Sequence, residues 1–250
     1  MRLITLAAML AAGRTANGQG VLEHIAMGDR EYNALEAAAA LGHYEQAIAA
    51  DAGNYEALWK ASRSAVDVGS YISDATRRTK LFASAEQYAR KAVAVNPADA
   101  EGHFAVARAL GKTALTRSPQ GRVKDGTEVR AHALECLERS ARHPGCLHVM
   151  GAWNAEVMRL NGFTRMIAKN LLGGRVFGSA SWKEAVRYME EAVAADPERV
   201  IHRVEMGEIY KDVGDKAKAR AAFEAALRLP ETDVNDRNYK AQARRALGSI

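Results

Sequence analysis

Cysteine, proline, aromatic residues and long apolar runs are all scarce in this chain of 250 residues. Two cysteines, Cys136 and Cys146, cannot build a disulfide-dense scaffold, and no CxxC pair is present for zinc or thiol exchange. Five prolines and few β-branched runs leave little to interrupt a helix. No run of about 18 apolar residues occurs, so no transmembrane helix is expected. Neither sign of charge dominates. The net charge is +5, the Lys and Arg residues are spread along the chain, and aromatics for base stacking are few, so no nucleic-acid partner is expected. G-x-S-x-G, H-E-x-x-H and a helix-opening G-x-G-x-x-G are missing. The expectation is therefore a protein that is not an enzyme, without catalytic residues, cofactor, resident metal or small-molecule ligand.

What is abundant is alanine, the best helix former because it loses no side-chain entropy in a helix. After residue 20, apolar residues recur at helical spacing almost throughout. The first twenty, "MRLITLAAMLAAGRTANGQG", read differently. Arg2, an apolar stretch over Leu3–Ala12 and a small, polar exit have the shape of a bacterial secretory signal, with a docked N-terminal helix as the alternative. Residues 1–20 are therefore set apart as a signal, and 21–250 as one domain. The expected location is periplasmic or secreted, or the cytoplasm if the segment is not a signal.

The strongest helical segment is "DPERVIHRVEMGEIYKDVGDKAKARAAFEAALRLP", residues 196–230. It reads as two helices, about 199–213 and 216–229, with a Gly214-Asp215 turn, Asp215 as N-cap and Pro230 as the stop. Met206-Gly207, Tyr210, Ala219, Phe223, Ala226 and Pro230 resemble a tetratricopeptide repeat, in which helix A carries L-G-x-x-Y and helix B carries A-x3-F-x2-A. Similar helix-B endings stop near residues 52, 97, 144, 197 and 230, spaced 45, 47, 53 and 33 apart. A plain repeat is about 34 residues. The excess falls between helices A and B, at about residues 69–81, 112–126 and 161–181. The expected fold is all-α, a right-handed tetratricopeptide-like α-solenoid with stretched repeats and an inserted helix.

The run from Arg122 to Glu198, most specifically the segment around 147–190 that begins "LHVMGAWNAEVMRLNGFTRMIAKNLLGGRVFGSASW", resembles the regulator of microtubule dynamics family, and the resemblance covers most of residues 50–232. A long basic helix B, a glycine- and tryptophan-bearing helix A, an inserted M-I-A-x-x-L-L-G helix and a small-residue turn carry the resemblance. It implies a tetratricopeptide-like superhelix; the family's animal members are associated with microtubules and with membrane contact at mitochondria. Together with the signal-like N-terminus, it implies an exported bacterial relative, in which a tubulin role does not carry over.

Helix A lines the concave groove of such arrays. The groove slots fall on Trp59 and Arg63, then Phe104, Arg108 and Lys112, then His148, then Glu208 and Lys211. Aromatics interleaved with cations suit an extended protein or peptide segment with acidic groups. A basic rim is expected from Arg117, Arg122, Lys124, Arg165, Lys169 and Arg175, which fall largely in the stretched segments. "GGRVFGSA" has the glycine spacing of a phosphate loop, but Ser179 and Ala180 replace its lysine and hydroxyl, which removes that reading. Phe163, Met166, Ile167 and Leu171 share a helix face with Arg165 and Lys169 off it. Packing is the plain reading of that face. The alternative function is a peripheral adaptor docking on a membrane through residues 163–172. His132, Cys136, His143, Cys146 and His148 match no zinc spacing. Cys136 reads as a small buried hydrophobe and Cys146 as a loop cysteine, with a disulfide between them as the alternative in an exported chain.

Overall fold

The computed structural model describes the backbone of residues 3–114, 117–170 and 174–250, and the side chains of 18–114, 117–162, 164–168, 170 and 174–250. Among these residues there is no strand. The chain runs as α1 (Leu3–Asn33), α2 (Ala37–Ala50), α3 (Tyr55–Tyr71), α4 (Ala75–Val95), α5 (Ala100–Thr113) and α6 (Pro119–Arg139). It continues as α7 (Pro144–Arg159), α8 (Gly162–Asn170), a 3-10 turn (Arg175–Ser179), α9 (Trp182–Ala195), α10 (Val200–Asp212), α11 (Lys216–Arg228) and α12 (Asp236–Leu247). Successive antiparallel pairs α1/α2, α3/α4, α5/α6, α7/α9 and α10/α11 stack into a solenoid, and α12 packs on the last pair. Residues 3–20, expected as a signal, lie on α1 in one helix with residues 21–33. Val21 and Ile25 of α1 join Ala47 and Ala57 in the core. No helix of the described residues is long and apolar enough to cross a membrane.

The pairs close on one recurring device. A glycine on helix A faces a large side chain of helix B. A Cβ placed on Gly207 would sit 2.6 Å from the Phe223 ring, one on Gly69 2.5 Å from Phe82, and one on Gly28 2.5 Å from Tyr44. Each ring is thus seated against bare backbone, and alanines such as Ala219, Ala222 and Ala226 let the rest of α11 lie flat beside it. Helix B buries a single stripe; in α4 it is Phe82, Ala85, Ala89 and Ala92. Helix A is covered on nearly every side, and α3 buries eleven of its seventeen residues, Lys60 and Asp67 among them. Helix A is therefore sandwiched between its own helix B and the inside of the superhelix.

The stretched repeats resolve in two ways. Residues 69–81 and 112–126, expected as insertions between helices, are mostly taken up by longer B helices: α4 and α6 have 21 residues each. Their starts are set by local capping. Asp74 accepts the N–H groups of Thr76 and Arg77, and Ser118 accepts that of Gly121 with Pro119 in the first turn. Among the described residues, only the α7/α9 pair contains a separate inserted element, α8 with the 3-10 turn. Phe177 anchors it, buried against Gly126 of α6 and edge-on to Trp153 at 5.7 Å. The Trp153 indole N–H donates to the Gly126 carbonyl at 2.7 Å. The two basic stretches therefore meet, because the insertion packs on the start of α6.

The plain reading of the cysteines is corrected. Cys136 near the end of α6 and Cys146 in the first turn of α7 form a disulfide, with Cα atoms 6.4 Å apart. Both are fully buried. The ten-residue separation spans one tight interhelical turn, which brings the two sulfurs together.

Candidate functional site on the inner face

The interior of the superhelix is polar. At its centre stands Asp67, wholly buried on α3. The Tyr32 hydroxyl of α1 donates to it at 2.8 Å. The Arg108 guanidinium of α5 pairs with its other oxygen. Its backbone carbonyl accepts from the Asn235 side chain, at the start of α12, at 3.3 Å. Asn235 is itself fixed by its backbone N–H donating to Asp233 at 2.8 Å, and Asp233 pairs with Arg199 at 2.5 Å. Burial pushes the neighbouring Tyr239 hydroxyl up to about 12. Three helices, α1, α3 and α5, thus meet at one carboxylate, and the start of α12 joins them through the same residue's backbone carbonyl.

Of the expected groove residues, Arg108, Lys112 and His148 line one wall. Lys112 lies one turn beyond Arg108 and has no ion-pair partner among the described residues. Burial, and then the adjacent Arg108, hold its ammonium below the usual lysine range. His148 faces His202 of α10, with the Nδ1 atoms 3.1 Å apart. Burial drives the two imidazoles down to about 3 and about 2 respectively, and the nearby Lys112 and Arg108 add to the depression of His148. Both rings are therefore neutral, sharing one N–H between them.

The other expected groove residues are engaged elsewhere. Arg63 lies 3.5 Å from the centre of the Tyr32 ring and 5.1 Å from that of Trp59. Its terminal nitrogen reaches the Tyr44 hydroxyl at 3.5 Å, while its buried Nε meets no acceptor. Trp59 packs against the central apolar cluster. Phe104 covers the α6–α7 turn, 4.9 Å from the His143 ring and directly over Gly145. Glu208 and Lys211 pair with one another. Arg159 bridges Glu205 at 3.3 Å and Asp212 at 2.7 Å, and burial pushes the Glu205 carboxyl up.

The expected rim is partly neutralised. Arg117 pairs with Glu86 at 3.1 Å and with Asp125 at 3.0 Å. Arg122 donates to the Arg117 carbonyl at 3.2 Å. Arg165 reaches the Met158 sulfur at 3.0 Å. Lys124 and Arg175 are exposed. The side chains of Phe163 and Lys169, and the whole of Leu171 and Leu172, lie outside the described residues. An open cleft of about 440 Å³ runs between α7, α8 and the 3-10 turn, lined by Met158, Arg165, Met166 and Phe177 among others.

Sequence reasoning missed Tyr32, Asp67, Asp233 and Asn235. One signal for Asp67 was present: a lone acid in "SAVDVGS", on a helix otherwise apolar or small over that turn.

Residues 24–250 match the family described as regulator of microtubule dynamics protein 1-3. Regulator of microtubule dynamics protein 3 of Xenopus laevis is 25% identical over 183 residues, which are 73% of this chain and 39% of that protein. The chain therefore spans well under half the length of that relative. Among solved structures, TTC0263, a thermophilic TPR protein of Thermus thermophilus, is similar with a TM-score of 0.62 at 18% identity. That likeness covers 90% of this chain and 99% of the other. It extends the tetratricopeptide fold to nearly the whole molecule.

Proposed function

We propose that this chain, which belongs to the regulator of microtubule dynamics protein 1-3 family, is a non-catalytic scaffold that binds an acidic, extended protein segment against the inner wall of its superhelix. The observation that carries the reading is Lys112. A desolvated ammonium is costly unless an anion faces it, and here Arg108 stands beside it and has its own carboxylate. A glutamate side chain or a chain-terminal carboxylate entering past His148 supplies the missing charge and is drawn in by the cationic wall.

The test is fluorescence anisotropy with a labelled glutamate-rich peptide at low and moderate salt. Lys112→Gln should weaken binding at least about tenfold, equivalent to about 1.4 kcal/mol, while the helical circular dichroism spectrum stays unchanged. Equal binding by wild type and Lys112→Gln, or no salt-sensitive binding by wild type, would rule the reading out.

A second reading has one observation behind it. Met166 is 48% exposed on α8, beside the cleft it shares with Met158 and Phe177. That face suits shallow docking on an anionic membrane through residues 163–172. Flotation with anionic vesicles decides it: a protein that stays at the bottom of the gradient, with Met166→Ser behaving identically, does not use this face.

A further inference from the structure

At the α6–α7 turn, we infer that Cys136, Cys146 and His143 form a second, alternative staple: a zinc site that assembles when the disulfide is reduced. The inference is independent of the reading of the inner face. Its first support is proximity. One ligand atom from each of the three residues lies within 4.8 Å of the other two. A tetrahedral centre with Zn–S near 2.3 Å places two sulfurs about 3.8 Å apart. With the Cα atoms 6.4 Å apart, side-chain rotation reaches that separation.

The second support is the state of His143. It occupies the N-cap of α7, a position where Ser, Thr, Asp and Asn lead. Those types fill the side-chain caps of α3, α4, α5, α6, α9 and α11, namely Asn54, Asp74, Asp99, Ser118, Ser181 and Asp215. His143 caps with Nδ1, which accepts the Cys146 backbone N–H at 3.1 Å. Nδ1 therefore carries a lone pair directed at the Cys146 end of the turn. The proton is on Nε2, which donates to Glu101 at 3.2 Å. A carboxylate behind the distal ring nitrogen is the arrangement that orients metal-binding histidines and raises their basicity. Phe104 packs at a tilt against the same ring, 4.9 Å between centroids, and holds it in place. A structural disulfide alone requires none of these three features.

The chemistry balances. A small dithiol delivers two electrons and two protons, the Cys136–Cys146 bond breaks to two thiols, and the dithiol closes to its own disulfide. Zinc then binds both sulfurs as thiolates and takes the Nδ1 lone pair of His143 from the Cys146 N–H, which is released from its cap, and two protons pass to solvent. Water takes the fourth position. The same turn is thereby held covalently under oxidising conditions and by metal under reducing ones.

The experiment uses the full chain, reduced with a phosphine, desalted without air and titrated with zinc against a chromophoric chelator. One equivalent should bind to the reduced protein and none to the oxidised protein at the same concentrations. Cobalt in place of zinc should show sulfur-to-metal charge transfer and tetrahedral d–d bands. His143→Asn keeps a good N-cap, so it should fold normally yet lose zinc affinity. Glu101→Gln, a change at a positioning residue, should weaken zinc by about 10–100-fold. Zinc binding that is equal in the oxidised form, that survives in Cys136→Ser, or that is indifferent to His143→Asn would overturn the assignment. So would a reduced wild type that binds none.

Discussion

Replacing Asp67 is the most informative perturbation of this molecule. Its carboxylate is completely buried and serves Tyr32 and Arg108 together. Asp67→Ala leaves the Arg108 guanidinium inside the superhelix next to Lys112 with no counter-charge. Breaking a buried pair by removing one partner costs about 3–5 kcal/mol. For a domain of this size each kcal/mol lowers the melting temperature by about 2–4 °C, so a fall of roughly 6–20 °C is expected. Arg108→Ala should cost a similar amount, because it strands Asp67. The double variant should cost less than the sum of the two, by about 0.5–3 kcal/mol, since the second change removes the group stranded by the first. Urea unfolding followed by circular dichroism measures all three. Strict additivity, or an Asp67→Ala variant within 1 kcal/mol of wild type, would refute the central role given to this carboxylate. The outcome also bears on function. Arg108→Ala is a poor probe of partner binding because it disturbs the fold, whereas Lys112→Gln removes a charge that has no ion-pair partner among the described residues.

Two further outcomes follow from packing and from titration. Gly207→Ala sets a methyl 2.6 Å from the buried Phe223 ring, whereas Gly111→Ala meets nothing within 4 Å. The first should be destabilising by up to about 2 kcal/mol after the helix-propensity gain is counted, and the second stabilising by up to about 1 kcal/mol; equal melting temperatures would contradict the packing account. Because burial holds His148 and His202 near 3 and 2, the unfolded chain takes up protons below about pH 6.5 that the folded chain refuses. Stability is complete above pH 6.5 and falls as the pH drops toward 5, with a slope of up to about 1.4 kcal/mol per pH unit for each histidine. His202→Asn should flatten that slope, measured as urea midpoints between pH 7.5 and 5.5, and an unchanged slope would show that the pair does not set it.

The repeats were legible in the sequence because their signals are local. Gly207, Phe223 and the flanking alanines lie within one helical hairpin, and Asp215 caps the next helix within a few residues of its own position. The helix-A slots were legible as positions, since Arg108, Lys112 and His148 do share a wall. What they face was not legible. Asp67 and Asn235 are 168 residues apart, and no periodicity links a lone acid on α3 to an amide at the start of α12. Asp74 and Ser118 are N-cap residue types that mark helix starts, yet the 34-residue repeat length assigns their positions to insertions. The disulfide was undetermined for a similar reason. A spacing of ten residues permits pairing, yet only the tightness of the α6–α7 turn brings the sulfurs into contact.

The bond from Asn235 to Asp67 has a mechanical meaning. An open solenoid behaves like a zip: each unit holds only its neighbours, and the stack can fray from either end. Tying α12 back to α3 across the interior turns the zip into a clasped bracelet. Opening it at one place should release the whole. The central repeats are then expected to exchange their amide protons together with those of α12, in a single global event rather than in sequence from the tail inward.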